Sequence, residues 1–225
     1  MRNHPDSAMI FCAGRGTRMG ELTRDLPKPM IEVAGRPLVD HAIAQLAGVG
    51  RLVANLHYFP EKLATHLASA GVETVFEPEL LETGGGLKNA LDRFTGEAVF
   101  TMNTDAVWKG PRAAEVLAAA WDPTRMDALL LTVPHAHAHG HAGPGDFDIG
   151  PEGHLVRGRE TIYTGLQILR TSTLDDIAER CFSLNTVWER LLETKRIFGA
   201  VYPGEWCDVG HPEGIAVAER VLKDA

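Results

Sequence analysis

Short apolar runs alternate with amphipathic stretches of helical period along most of the chain, and no other feature constrains the fold as strongly. The runs at 9–12 (MIFC), 52–56, 72–76, 98–102 and 128–133 have strand length. Between them, 37–48 (PLVDHAIAQLAG), 60–70 (PEKLATHLASA), 85–91 and 112–121 carry apolar residues at helical spacing, with Pro60 suited to a first helical turn. Strand–helix–strand units of this kind predict a mostly parallel sheet with helices on both faces. Beyond Pro134 the pattern loosens. Strands are expected at 147–149, 161–169 and 197–202 and helices at 174–181, 185–194 and 212–223, which continue the sheet with an antiparallel excursion. No stretch reads as a linker or a repeat, so 1–225 is expected to be one α/β domain.

Charge and cysteine usage exclude several classes of function. Twenty-two Lys and Arg against 30 Asp and Glu give a net charge of −8, which argues against a general nucleic-acid binder. A small anionic ligand stays open, because a pocket can be locally positive in an acidic protein. The apolar stretches fall far short of the roughly 20 residues that a membrane helix needs. The apolar run at 8–13, following Met1 and Arg2, is too short and too soon interrupted for a secretory leader. Cys12, Cys181 and Cys207 form no CxxC pair and no even framework, so a reduced, cytoplasmic setting is expected, as a monomer or weak homo-oligomer.

In open parallel sheets ligands bind beyond the carboxyl ends of strands. Directly after the first predicted strand comes Cys12-Ala13-Gly14-Arg15-Gly16-Thr17-Arg18-Met19-Gly20, and then Leu26-Pro27-Lys28-Pro29-Met30. Glycines there let backbone N–H groups approach a phosphate closely. Arg15, Arg18 and Lys28 add two guanidinium forks and a point charge, both suited to phosphate oxygens. The run is neither a G-x-x-x-x-G-K-[ST] loop nor a G-x-G-x-x-G fingerprint. That spacing, and the lack of an acidic residue in 51–57, disfavour a dinucleotide-dependent oxidoreductase.

The run and the Pro-Lys-Pro segment together resemble the signature of the sugar-1-phosphate nucleotidyltransferases. Further stations follow in family order: Glu82-Thr83-Gly84-Gly85-Gly86, Asn103-Thr104-Asp105 after a strand, and Trp206-Cys207-Asp208-Val209-Gly210. Cys12 stands where many members have Ala, and Gly20-Glu21 where Arg-Pro is common. The set 55–58 (NLHY), 145–147 (GDF) and 163–165 (YTG) is most similar to the N-acetylmuramate 1-phosphate uridylyltransferases. No hexapeptide-repeat region follows, so an appended acyltransferase is not expected. The resemblance implies a Rossmann-like three-layer α/β/α sandwich with a mixed, mostly parallel sheet, and joining of a nucleoside triphosphate to a sugar 1-phosphate with Mg²⁺. UTP and N-acetylmuramate 1-phosphate are the favoured pair; mannose 1-phosphate guanylyl transfer and glucose 1-phosphate thymidylyl transfer are the alternatives. A silent nucleotide-sugar sensor with this fold would tend to lose one of Arg18, Lys28, Asp105 or Asp208, and all four are present.

What the resemblance implies for the site is specific. Arg18 and Lys28 are the catalytic cations, and Asp105 and Asp208 hold the metal. Cys12, Ala13, Gly14, Arg15, Gly16, Thr17, Arg18, Lys28, Leu81, Thr83, Gly84 and Gly85 meet the nucleotide. Asn103, Gly145, Asp146, Glu160, Thr164 and Gly165 meet the sugar phosphate. Many relatives carry a Glu-Lys-Pro whose Lys binds that phosphate; this chain has Val156-Arg157-Gly158-Arg159-Glu160, so that Arg157 or Arg159 is the expected substitute. His57, at the end of a strand, is read as structural. His135, His137, His139 and His141 alternate, but Pro134, Gly140, Gly143 and Pro144 break a strand, so a mobile loop without a specific metal is expected. The four tryptophans are assigned to core or rim packing.

Overall fold

The computed structural model describes residues 4–223. Residues 1–3, which open the run too short for a leader, and 224–225 lie outside the described residues. In chain order the elements are β1 (Ser7–Phe11), the hairpin β2 (Glu32–Val33) and β3 (Arg36–Pro37), α1 (Leu38–Gln45), β4 (Arg51–Leu56), α2 (Pro60–Ser69), β5 (Glu73–Phe76), α3 (Glu82–Asn89), β6 (Ala98–Asn103), β7 (Ala106–Lys109) and α4 (Ala113–Ala120). Then follow β8 (Ala128–Pro134), β9 (Ala138–His139), β10 (Phe147–Ile149), β11 (Leu155–Arg157), β12 (Thr161–Arg170), α5 (Leu184–Glu193), β13 (Ile197–Val201), β14 (Glu205–Asp208) and α6 (Pro212–Lys223). No described helix is long and apolar enough to cross a membrane.

Nine described strands make the central sheet. β5, β4, β1 and β6 run parallel, β12 joins β6 antiparallel, and β8 and β13 extend the far side. β10 and β11 add an antiparallel edge next to the start of β12. The apolar strands supply both faces by simple parity. Ala8, Ile10, Ala54, Phe100, Leu129 and Leu131 pack on one side with α1, α2 and α4, while Met9, Val53, Val99 and Leu130 pack on the other with α3 and α5. Each fully buried Leu or Ile contributes about 1.5–3 kcal/mol, so continuous apolar runs are what a sheet covered on two sides requires. The architecture is the expected mixed α/β sandwich.

Two expectations fail. The stretch 174–181 is not a helix: a 3-10 turn at Thr171–Leu174 ends there, and the chain runs irregularly to α5. Its backbone groups are used elsewhere. Phe182 O accepts from Gly84 N (2.9 Å) and Gly85 N (3.0 Å), Phe182 N donates to Leu81 O, and Lys88 Nζ donates to Ile177 O. The buried Leu174 and Ile177 mimic helical spacing while anchoring a strap across α3. The histidine segment is likewise built in rather than loose. His135 Nε2 meets Arg159 O at 2.8 Å, His137 Nδ1 and His139 Nε2 share the Glu205 carboxylate at 2.8 and 2.6 Å, and β9 pairs parallel with β14.

Candidate active site

The parallel strands β1, β4, β5 and β6 deliver their carboxyl ends to one edge of the sheet. There the loop after β1 bends through 3-10 turns at Thr17–Thr23. Gly16 is left-handed (φ 63°), and a Cβ on it would lie 2.7 Å from Lys28 Cβ, so only glycine lets Lys28 fold back against the loop. Gly14 differs, because a Cβ there would meet nothing within 4 Å. Its glycine leaves open room in front of the loop rather than serving packing.

A buried polar chain holds this loop from beneath. Asn55, near the end of β4, accepts from Cys12 N (2.8 Å) and donates to Glu77 Oε1 (2.8 Å), and Glu77 Oε2 accepts from Leu81 N (3.2 Å). Glu77 is wholly buried, and burial pushes its carboxyl above the ordinary range against the pull of these donors. Cys12 is also buried; its thiol is pushed up to about 12, which makes it a small apolar filler rather than a nucleophile. His57 Nδ1 lies 2.9 Å from Glu77 O, a structural bond.

The two metal-type carboxylates come together through a small second sheet. β14 lies between β7 and β9, with Asp208 opposite Ala106, and Val209 N donates to Asp105 O (2.7 Å). Residues a hundred positions apart are thereby neighbours. Lys28 Nζ, on a nearly buried side chain, lies 3.2 Å from Asp105 Oδ2. Burial first, and then the Asp105 charge, raise the Asp208 carboxyl, while Lys28 and Arg18 pull it down. Gly210 makes the close approach possible: a Cβ there would stand 2.9 Å from Asp208 Oδ1 and 3.3 Å from Arg18 Nη1.

Two adjoining hollows open on these groups. The first, about 450 Å³, is lined by Cys12, Ala13, Gly14, Gly16, Thr17, Arg18, Lys28, Thr83, Asn103 and Asp105, with Asn55, Leu80, Glu82 and Ser183. The second, about 350 Å³, shares Phe11, Arg18, Thr83, Asn103, Asp105 and Ser183 with it and adds Asp146, Thr164, Gly165 and Asp208. Gly165 (φ 90°) sits where the β12 register shifts between Tyr163 and Gln167, and a Cβ on it would come within 2.9 Å of Asn103 Cβ. Arg18, Lys28, Asp105 and Asp208 thus converge on one connected space.

Six of the expected residues line neither hollow. Arg15 is exposed. Leu81, Gly84 and Gly85 are buried, the two glycines because the strap at Arg180–Phe182 crosses α3 where their Cβ atoms would be. Gly145 (φ 95°) forms a tight turn under Arg159 O, and Glu160 is exposed, its N–H held by Asp148. Conversely, sequence reasoning passed over Glu77, Ser183 and Asn185, quoted Tyr163 only within a family motif, left Arg157 undecided against Arg159, and assigned Trp188 and Trp206 to packing; of these, Arg157, Tyr163, Ser183, Asn185, Trp188 and Trp206 line the second hollow. His141 also reaches it: Nδ1 lies 4.0 Å from Asp208 Oδ2, and its buried Nε2 has no partner among the described residues. The signal for Ser183 and Asn185 was a capping Ser just before α5, whose Oγ accepts from Asn185 N.

Among the described residues no three His, Cys, Asp or Glu side chains are gathered closely enough to cage a metal. Two convergent carboxylates facing an open hollow instead suit Mg²⁺, which keeps waters and takes phosphate oxygens beside one or two carboxylates. The residues present fit the ion.

Comparison with known proteins bears directly on this geometry. The family model described as the MobA-like NTP transferase domain matches residues 8–205, from β1 to the start of β14. The chain belongs to this family. A relative in Caulobacter vibrioides, named N-acetylmuramate alpha-1-phosphate uridylyltransferase, is 35% identical over 100% of both chains. A second of the same name in Neisseria meningitidis serogroup B is 31% identical over 90% of this chain and 92% of its own. Among solved structures, HddC from Yersinia pseudotuberculosis complexed with GMP-PN superposes with a TM-score of 0.75 at 23% identity, over 96% of this chain and 99% of that one, a likeness of fold.

Proposed function

We propose that this chain transfers a uridylyl group from UTP to N-acetylmuramate 1-phosphate, giving the UDP-sugar and pyrophosphate. The observation that carries the reading is the convergence of Arg18, Lys28, Asp105 and Asp208 on the hollow beyond β1. The choice of base and sugar is supported by the names of the two relatives that match along nearly the whole chain. Buried, unpaired Cys12 and Cys207 accord with a cytoplasmic setting.

A sugar-phosphate oxygen forms a bond to the α-phosphorus, and the bridging bond to the β-phosphate breaks as pyrophosphate leaves. Attacking group, target and leaving group are all anionic, so the protein must neutralise charge and align the groups. The loop around Ala13 and Gly14 supplies backbone donors and open room for the triphosphate. Arg18 meets the departing phosphates, and Lys28, held by Gly16, meets the charge at the α-phosphate. Asp105 and Asp208 would hold Mg²⁺, which when bound neutralises phosphate oxygens. Asn103 and Thr164-Gly165 wall the sugar side.

Pyrophosphate release, measured for four nucleoside triphosphates against a panel of sugar 1-phosphates with Mg²⁺, tests this. UTP with N-acetylmuramate 1-phosphate should lead, and Asp105→Asn should fold normally yet turn over about 10²–10³-fold more slowly. Silence across the panel from folded protein would replace catalysis by ligand sensing.

A further inference from the structure

The second hollow ends in a cation that the reaction centre does not use. Lys28 borders only the first hollow and Arg157 only the second, while Arg18, Asn103 and Asp105 border both. The sugar phosphate must reach the shared part, so the body of the sugar extends towards Arg157. β12 connects the two ends: Asn103 at the end of β6 packs against Gly165, while β10, which carries β11 and Arg157, meets β12 at Thr161, on the same side as β6 and opposite β8. Asn103 and Arg157 line the same hollow.

Arg157 is prepared for a ligand. Its guanidinium lies over the Phe147 ring (4.7 Å to the centroid) and near the Trp188 ring (6.0 Å). Nε and Nη2 bind Glu189 at 3.0 and 2.6 Å, and Nη2 binds Asn185 Oδ1 at 3.1 Å; Nη1 makes none of these bonds. The fork is therefore oriented while its side chain stays 40% exposed. Arg159 is no rival: it does not line the hollow, its N–H goes to Asp148, and its carbonyl accepts from His135. The hollow also contains Asp105, Asp146 and Asp208, with Arg18 facing Asp208 across Gly210. Apart from Arg18 at the reaction centre, Arg157 is the one Lys or Arg among the described residues that line this hollow, so it is the cation placed to meet an anionic sugar substituent remote from the phosphate.

We propose that Arg157 binds a carboxylate carried on the sugar ring, remote from the anomeric phosphate, and so selects acidic sugar 1-phosphates over neutral ones. This rests on the transferase reading above and deepens it, because a muramic sugar differs from its glucosamine parent by a carboxylate-bearing ether.

The test compares N-acetylmuramate 1-phosphate with N-acetylglucosamine 1-phosphate, both with UTP, in wild type, Arg157→Met and Arg157→Lys, each checked for an intact thermal transition. In Arg157→Met the preference in kcat/KM for the acidic sugar should shrink about tenfold or more, chiefly through KM, with Arg157→Lys between. An equal loss for both sugars would place Arg157 on the phosphate or in the fold, and an unchanged ratio would remove it from recognition; either overturns the proposal. A wild-type enzyme that favours the neutral sugar sinks the carboxylate site and leaves the transferase standing. A wild type inactive on every sugar 1-phosphate sinks the transferase and the carboxylate site together.

Discussion

At the scale of single residues, the two loop glycines separate what the chain needs from what a ligand needs. Gly16 is required by the protein itself, through its left-handed backbone and its contact with Lys28. Gly16→Ala should cost about 1–3 kcal/mol of stability, read as a lower urea midpoint. Gly14 has no such constraint, since its Cβ would enter open room. Gly14→Ala should leave the midpoint within about 0.5 kcal/mol yet raise the KM for the nucleoside triphosphate about tenfold. A shared loss of stability in both variants would mean that the loop's glycines serve folding alone. In sequence the two positions look alike, and the loop stood out as a candidate phosphate cradle because its cations and glycines are chemically telling on their own. Arg157 and Glu77 were not legible in that way. A salt-bridged arginine or a glutamate after a strand is ordinary until the sheet order reveals which hollow or loop it faces.

At the scale of elements, α3 shows how a motif can be read correctly as a segment and wrongly as a surface. Three consecutive glycines are poor helix formers, yet Glu82–Asn89 is helical from the first of the motif residues. The strap crossing at Arg180–Phe182 explains the choice: Gly84 faces the Phe182 ring and Gly85 faces Arg180 O at distances that exclude a methyl group. The apolar spacing of Leu174 and Ile177 suggested a helix, but spacing does not record that the backbone of this segment is bonded to α3. Gly85→Ala should therefore destabilise the fold by about 1–3 kcal/mol. It should also speed amide exchange along 174–182 ahead of the central strands, because the strap is held to α3 by these few bonds. Uniform acceleration throughout the sheet, with no lead from the strap, would contradict this account. β7, β9 and β14 were equally hidden, being two to four residues long and paired across large sequence separations.

Across the whole molecule, the parallel half was readable because apolar runs partition by parity onto two covered faces, whereas the antiparallel half depends on polar ties that leave no period. Asp127 is the clearest of these. It sits just before β8, and its carboxylate accepts from Arg170 Nε at the end of β12 and from Arg196 Nε and Nη2 just before β13, at 3.0–3.1 Å. Its backbone joins the same two arginines, through Asp127 N to Arg196 O and Arg170 N to Asp127 O. The Arg196 hydrogen bonds, with the charges of both arginines, hold the Asp127 carboxyl below the ordinary range against the opposing effect of burial. A carboxyl depressed in the folded state adds stability that is complete above its unfolded pKa, near 3.9, and is lost as pH falls through the folded value. Asp127→Asn should thus lower stability by about 1–3 kcal/mol at neutral pH. The gap between wild type and variant should begin to narrow as the pH drops below about 4, where the unfolded wild type takes up a proton that the folded carboxylate still refuses, and should close below the depressed folded value. Urea unfolding at pH 7, 5 and 3 measures it. A gap that stays constant down to pH 3 would show that shape, and not the ionised carboxylate, joins β8, β12 and β13 at this end of the sheet.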